Sequence, residues 1–166
     1  MTVQQKIEPY VIKAEPRPER YARGWYVIGN AASVTTAPRM LEVFGTKLVA
    51  YRGEEDGAVH ILDAYCPHMG GDLSGGKVCG NSVVCPFHLW SWGADGVCDD
   101  IPYAKKIPEK AVIKSWPVLE RNGLVLVWQD PENNAPIPGQ EPAEMADWYS
   151  GEWTDWEMRA IPIETL

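Results

Sequence analysis

The chain has 166 residues, 45% of them hydrophobic and 23% charged, with a formal net charge of −8. That length suits one domain with a sizeable core, and the acidic balance argues against a nucleic-acid partner, which would ask for a basic surface. No stretch approaches the ~18 apolar residues of a membrane span and no N-terminal apolar run resembles a signal peptide, so a soluble, cytoplasmic protein with no membrane partner is expected.

Residues 1–19 read as an N-terminal arm. Gly24–Asn30 then predicts a first strand. Arg39–Phe44 and Lys47–Arg52 flank Gly45-Thr46 and read as a hairpin, and Ala58–Ala64 and Asn81–Val84 as two further strands. Gly93–Gly96 marks a turn. Ile113–Leu119 and Leu124–Gln129 flank Arg121-Asn122-Gly123, and Asn-Gly is a strong hairpin signal. Short strands separated by turns predict a mostly β fold, an antiparallel sandwich or barrel over residues 20–130.

After Asp130 the texture changes. Residues 131–142 hold Pro131, Pro136, Pro138 and Pro142, as a linker or wrapping segment would. Ala143–Tyr149 suits one or two helical turns. Trp148, Tyr149, Trp153 and Trp156 crowd together. Met158–Leu166 alternates like a strand, which Pro162 confines to an edge. The charge is concentrated here: residues 131–166 carry eight acids against Arg159 alone.

Two short runs carry the chemistry. Cys66-Pro67-His68 and Cys85-Pro86-Phe87-His88 each place a sulfur and a nitrogen on one loop. Ala58–Ala64 leads into the first loop and Asn81–Val84 into the second. Two thiolates and two imidazoles in this order are what a Rieske [2Fe–2S] cluster needs, one iron taking the sulfurs and the other the nitrogens. Gly70 and Gly71 let backbone approach closely, and their N–H groups can point at the bridging sulfides. Trp90 and Trp92 can screen the cluster from water. A structural zinc ion also takes Cys2His2, but zinc-finger spacing pairs Cys with Cys and His with His, whereas each loop here mixes them. There is no Cys-x-x-Cys, so dithiol redox chemistry is a weak reading.

The remaining groups have plainer readings. Cys79 and Cys98 are expected to be small buried thiols, a disulfide between them being the alternative. His60 is expected to be a surface or hydrogen-bonded strand residue. Asp72, Asp95, Asp99 and Asp100 lie close to the ligand loops, either to steer a basic reductase or as a solvated surface.

The runs Tyr65-Cys66-Pro67-His68-Met69-Gly70-Gly71-Asp72-Leu73 and Cys85-Pro86-Phe87-His88-Leu89-Trp90-Ser91-Trp92 resemble the Rieske domain of ring-hydroxylating Rieske non-haem iron oxygenases. Within that family, Arg20–Trp25, Phe44–Val49, Ile101–Ala104 and Glu152–Trp156 resemble the oxygenase components of 3-ketosteroid 9α-hydroxylases. The resemblance implies a cluster-binding subdomain at about residues 64–104, inserted in a larger antiparallel β base. It also implies that Cys66 and Cys85 hold one iron, and His68 and His88 the iron nearer the surface. The respiratory type of Rieske protein adds a cysteine to each loop, where Gly71 and Phe87 stand here. That type also places Ser and Tyr after the second histidine, where this chain has Trp90 and Trp92. Fewer donors to the sulfurs predict a potential toward roughly −150 mV rather than +300 mV.

The function that follows is one-electron transfer, as the Rieske part of a ring-hydroxylating oxygenase acting on a steroid. A flavin/iron–sulfur reductase would be the donor, and a mononuclear iron held by two histidines and a carboxylate the acceptor. In the resembling oxygenases that iron lies in a catalytic domain entered near residues 131–166, and homotrimers form partly through that domain. This sequence has only His60, His68 and His88, so no such two-histidine site is expected within it and no catalytic residue is assigned. The alternatives are a stand-alone Rieske ferredoxin and a zinc-stabilised interaction module. No Gly-x-Gly-x-x-Gly follows a strand, so no nicotinamide or flavin site is expected.

Overall fold

The structure is a computed structural model and describes residues 21–154, 156 and 157. The N-terminal arm 1–19 and the edge strand Met158–Leu166 lie outside the described residues. The described strands are β1 (Gly24–Asn30), β2 (Arg39–Val43), β3 (Thr46–Arg52), β4 (Val59–Asp63), β5 (Lys77–Cys79), β6 (Ser82–Val84), β7 (Ser91–Trp92), β8 (Cys98–Asp100), β9 (Val118–Arg121) and β10 (Leu124–Gln129). They form three antiparallel sheets, ordered β1-β10-β9, β2-β3-β4 and β5-β6-β7-β8. The mostly β antiparallel fold is as expected.

The β2-β3-β4 sheet is the middle layer, and its sequence shows why. Successive side chains of a strand point to opposite faces. Leu48, Ala50, Val59 and Ile61 join Trp116, Val125 and Val127 in one core, facing the β1-β10-β9 sheet. Val49, Tyr51 and Leu62 point the other way, into a second core with Cys66, Leu73, Val83, Cys85, Trp92 and Cys98. Leu48 to Tyr51 are therefore fully buried on both faces. The base thus supplies a rigid floor for the four-stranded sheet that carries the ligand loops.

Two hairpins close with two-residue turns in which both residues have positive φ, as the twist of antiparallel strands favours. Asn122-Gly123 (φ 51° and 73°) joins β9 to β10 as expected. The other turn is Phe44-Gly45 (φ 54° and 66°), one residue earlier than the sequence suggests. Phenylalanine rarely takes that conformation. Here its ring is held by Tyr26 at 5.0 Å and by Trp116, stacked at 5.8 Å.

Other boundaries also differ. Ile113–Pro117 is not a regular strand; it is tied in by the isolated bridge Leu62↔Ser115 and by single backbone hydrogen bonds such as Ile113 N–H to Gly96 O at 2.8 Å and Trp116 N–H to Ile61 O at 2.9 Å. Pro117 lacks the N–H a ladder needs, so β9 begins at Val118. Helical turns at Ala143–Tyr149 reduce to a 3-10 turn at Trp148–Ser150. The preceding segment wraps the base instead. Asn122, 8% exposed, donates from Nδ2 to Ala143 O at 2.9 Å and accepts from Met145 N–H at 2.8 Å, and its carbonyl accepts from Trp156 Nε1 at 2.6 Å. Trp148 lies against Gly123, where an added Cβ would come within 2.6 Å of its ring, and stacks on Trp156 at 5.5 Å.

Candidate metal centre

The first ligand loop, Cys66–Gly71, follows β4, and the second, Cys85–Trp90, joins β6 to β7. Their backbones solve the same problem in the same way. Cys66 N–H donates to Gly71 O at 2.8 Å and Cys85 N–H donates to Trp90 O at 2.8 Å. Gly70 N–H returns to Cys66 O at 2.8 Å and Leu89 N–H to Cys85 O at 3.1 Å. The residue four after each cysteine is left-handed: Gly70 at φ 72° and Leu89 at φ 62°. The two loops are one turn used twice, with histidine second after the cysteine in one and third in the other.

This brings all four expected residues together. Cys66 and Cys85 are buried, 2% and 1% exposed, in the core under the loops. His68 and His88 are half-buried above them, their ring centroids 4.8 Å apart. Burial pushes the Cys66 thiol up, and neighbouring Cys85 adds to this; the His68 backbone N–H and the Trp92 indole pull it back. A cation beside the sulfur would favour its thiolate and offset this rise.

Three features fit these residues to a [2Fe–2S] group. His68 Nδ1 is buried with no hydrogen-bond partner among the described residues, as a nitrogen aimed at a metal would be. A Cβ at position 71 would lie 2.7 Å from Cys85 Sγ and 3.1 Å from Phe87 Cβ, so only glycine lets the loops close this tightly. The donor set is two sulfurs inside and two imidazoles outside, which matches the division between the irons of a Rieske centre.

The surroundings correct several details. Gly70 N–H is spent within its own turn on Cys66 O; the N–H at the Cys66 thiol is that of His68. Trp92 is fully buried, as a screen would be, whereas Trp90 is partly exposed. Trp90 stacks on His68 at 4.4 Å, nearly parallel, and donates from Nε1 to Tyr103 Oη at 2.6 Å. Asp72 accepts from Ser74 N–H at 2.8 Å, Asp95 from Val97 N–H at 2.9 Å, and Asp99 from the Ser82 hydroxyl. The four cysteines form no disulfide; Cys98 is buried, but Cys79 is exposed, contrary to expectation. His60 sits on β4 with Nε2 2.9 Å from Asp56 Oδ2, the hydrogen-bonded strand role expected of it.

Sequence reasoning missed β5, β7 and β8, which have only two or three residues each, too few to show a period. It also missed the equivalence of Gly70 and Leu89. The signal for that was present: both stand four residues after a ligand cysteine.

Comparison with known proteins agrees with this geometry. Residues 24–117 match the model of the Rieske [2Fe–2S] domain. The chain is 48% identical, over 148 residues, to the oxygenase component of 3-ketosteroid-9-alpha-monooxygenase from Mycolicibacterium smegmatis, covering 89% of this chain and 38% of that protein. The Mycobacterium tuberculosis protein of the same description is 47% identical over 154 residues, covering 92% and 40%. Among solved structures, apo dicamba monooxygenase superposes with a TM-score of 0.66 at 30% identity, over 72% of this chain and 37% of that one. The chain thus spans about two fifths of the length of the curated relatives it matches. The matched fold and the shared sequence lead to one conclusion: the chain belongs to the Rieske [2Fe–2S] domain family, and its cofactor is a Rieske-type cluster.

Proposed function

We propose that Cys66, His68, Cys85 and His88 hold the [2Fe–2S] cluster and that the chain serves as the Rieske part of a multicomponent oxygenase. It takes single electrons from a flavin/iron–sulfur reductase and delivers them to a mononuclear non-haem iron outside residues 1–166. The observation that carries this reading is the repeated turn, which sets two buried thiols beneath two half-buried imidazoles. When bound, the cluster supplies a one-electron couple whose potential neutral imidazole ligands raise above that of a four-thiolate cluster. Cys66 and Cys85 anchor it to the core and exclude water from the sulfur side. His68 and His88 bring the other side to the surface, where a redox partner can approach. The Trp90 ring stacked on His68 fixes that imidazole's plane.

The steroid oxygenase components at 47% and 48% identity favour an oxygenase part over a stand-alone ferredoxin, and they make a 3-ketosteroid the first substrate class to test. A zinc module is disfavoured. Among the described residues, no group of three or more His, Cys, Asp and Glu side chains is arranged to hold a single ion, as tetrahedral zinc needs. Exposed, unpaired Cys79 suits the reducing cytoplasm. Among the described residues, no helix is long and apolar enough to cross a membrane.

The test is iron, zinc and acid-labile sulfide per chain in anaerobically purified protein, with EPR after reduction. Two irons, two sulfides and a Rieske-type signal are expected; zinc without sulfide would refute the proposal. His68→Cys and His88→Cys are each expected to lower the potential or lose the cluster. An unchanged potential in a cluster-replete variant would remove that histidine from the ligand set.

A further inference from the structure

The chain carries a net charge of −8, yet residues 101–114 hold Lys105, Lys106, Lys110 and Lys114 against Glu109 alone. Arg23, Lys47 and Arg52 are spent on Asp130, Glu42 and Glu120. Lys105, Lys106 and Lys110 are exposed, and among the described residues their side chains make no ion pair or hydrogen bond. The loop that bears them is fixed. Ile101 is buried in the core beneath the ligand loops and Ile107 packs against it, so residues 102–106 are exposed between two apolar anchors. Tyr103 Oη accepts from Trp90 Nε1 at 2.6 Å, and Trp90 stacks on His68 at 4.4 Å. Lys105 and Lys106 thus stand within three residues, at most about 10 Å of chain, of a side chain latched to the outer imidazole. The middle of this side is apolar: Met69, Phe87 and Tyr103 are 62%, 59% and 63% exposed, with Phe87 against His88 at 4.2 Å. An apolar centre with a charged rim is the anatomy of a protein contact. The acids suited to a basic partner are placed otherwise. Asp72 is turned back on Ser74, and Asp99 accepts from Ser82 at the end of β6 remote from Cys85, about 10 Å along the strand.

We propose that Met69, Phe87 and Tyr103, rimmed by Lys105, Lys106 and Lys110, dock an acidic electron donor, the iron–sulfur domain of the reductase presenting carboxylates, and that electrons enter on the His68 side. This rests on the reading of the chain as the cluster-bearing acceptor of that reductase. One electron leaves the reduced donor and the cluster of this chain gains it, with no bond made or broken. The net charge of −8 repels an acidic protein from afar. The lysines act inside the screening length of about 10 Å at 0.1 M salt, so they select the one orientation that sets the donor against Trp90 and His68.

The test is anaerobic stopped flow with a reduced, acidic plant-type [2Fe–2S] ferredoxin as the probe; its potential lies below that of a Rieske centre, so transfer runs downhill. The unaltered chain is compared with the double variant Lys105→Glu, Lys106→Glu and with Lys110→Glu, each loaded with two irons and two sulfides. All three side chains are exposed, so folding is expected to survive; Lys105→Gln with Lys106→Gln decides the matter where the charge reversal fails to load. The photogenerated neutral deazaflavin radical is the control reductant. The second-order rate with ferredoxin is expected to fall roughly tenfold or more in the double variant, by less at 0.5 M salt, while the deazaflavin rate stays unchanged. A fall of less than twofold, a rise, or an equal fall with deazaflavin overturns the proposal. So does self-association of the unaltered chain that the variant abolishes while the ferredoxin rate holds, which would assign the lysines to a second copy. Failure of the underlying reading looks different: the unaltered chain would then lack a Rieske-type EPR signal altogether.

Discussion

Gly71→Ala tests how tightly the two loops close on each other. An alanine Cβ there would stand 2.7 Å from Cys85 Sγ, where ordinary contact begins at 3.4 Å, so one of the two must move by about 0.7 Å. The other near atom, Phe87 Cβ at 3.1 Å, lies on the same loop and closes the direction of retreat. Metal–ligand distances tolerate only about ±0.2 Å, so a sulfur displaced by more than three times that margin no longer suits its iron. Overpacking of this kind costs roughly 1–3 kcal/mol. Gly70→Ala is the contrast. Nothing lies within 4 Å of its Cβ, but φ is +72°, so it bears about 1–2 kcal/mol of backbone strain without touching Cys85. Iron and sulfide content, EPR line shape and thermal unfolding of both proteins make the assay. Gly71→Ala is expected to lose cluster occupancy or to alter the signal. Gly70→Ala is expected to keep both and to unfold a few degrees earlier. Full occupancy and an unaltered signal in Gly71→Ala would refute the reasoning.

Leu89→Gly follows from the equivalence of the loops. It removes left-handed strain of about 1–2 kcal/mol, offset by roughly 0.5–1 kcal/mol of glycine entropy and by a side chain already half exposed; a small rise in unfolding temperature is expected, and a fall would refute the strain. Arg23→Gln tests Asp130 on the base. Burial raises that carboxyl, but the Glu132 N–H, the Arg23 guanidinium at 2.6 Å and Asn134 outweigh it and hold the group below the usual carboxylate range. Its stabilisation is present above the unfolded value of about 3.9 and is lost as pH falls through the lower native value. Without Arg23 that native value rises, so acid unfolding is expected at higher pH; an unmoved midpoint would exclude the pair as a contributor.

The Rieske-type centre was legible because the Cys-x-His and Cys-x-x-His spacing is unusual and suits few other groups. The base strands were legible where β-branched, aromatic and other apolar residues ran for five residues or more between turn signals, as in β1, β3 and β10. Of the four-stranded sheet only β6 was legible, because two or three residues cannot display a period, and the sheet's order is set by cross-strand packing of Val78, Val83 and Trp92 rather than by local preference. Phe44 was read as the end of a strand because it is aromatic; only the surrounding rings of Tyr26 and Trp116 explain how it tolerates a turn. Cys79 was read as buried on residue type alone, whereas alternation along β5 turns Val78 inward and leaves its neighbours Lys77 and Cys79 outside.

The placement of the centre follows from where β7 begins. In β7, Trp92 turns into the core beneath the cysteines, while Trp90, two residues earlier, has left the strand for the loop and lies on the outer histidine. One short segment thus reaches the sulfur side with a buried N–H and the imidazole side with a stacked ring. The middle sheet beneath, buried on both faces from Leu48 to Tyr51, holds that segment against displacement. Electron transfer benefits from a centre whose ligands shift little between oxidation states. In this chain that rigidity comes from the two-faced sheet and from two copies of one tight turn, with the strained Leu89 marking where the second copy met a residue poorly suited to it.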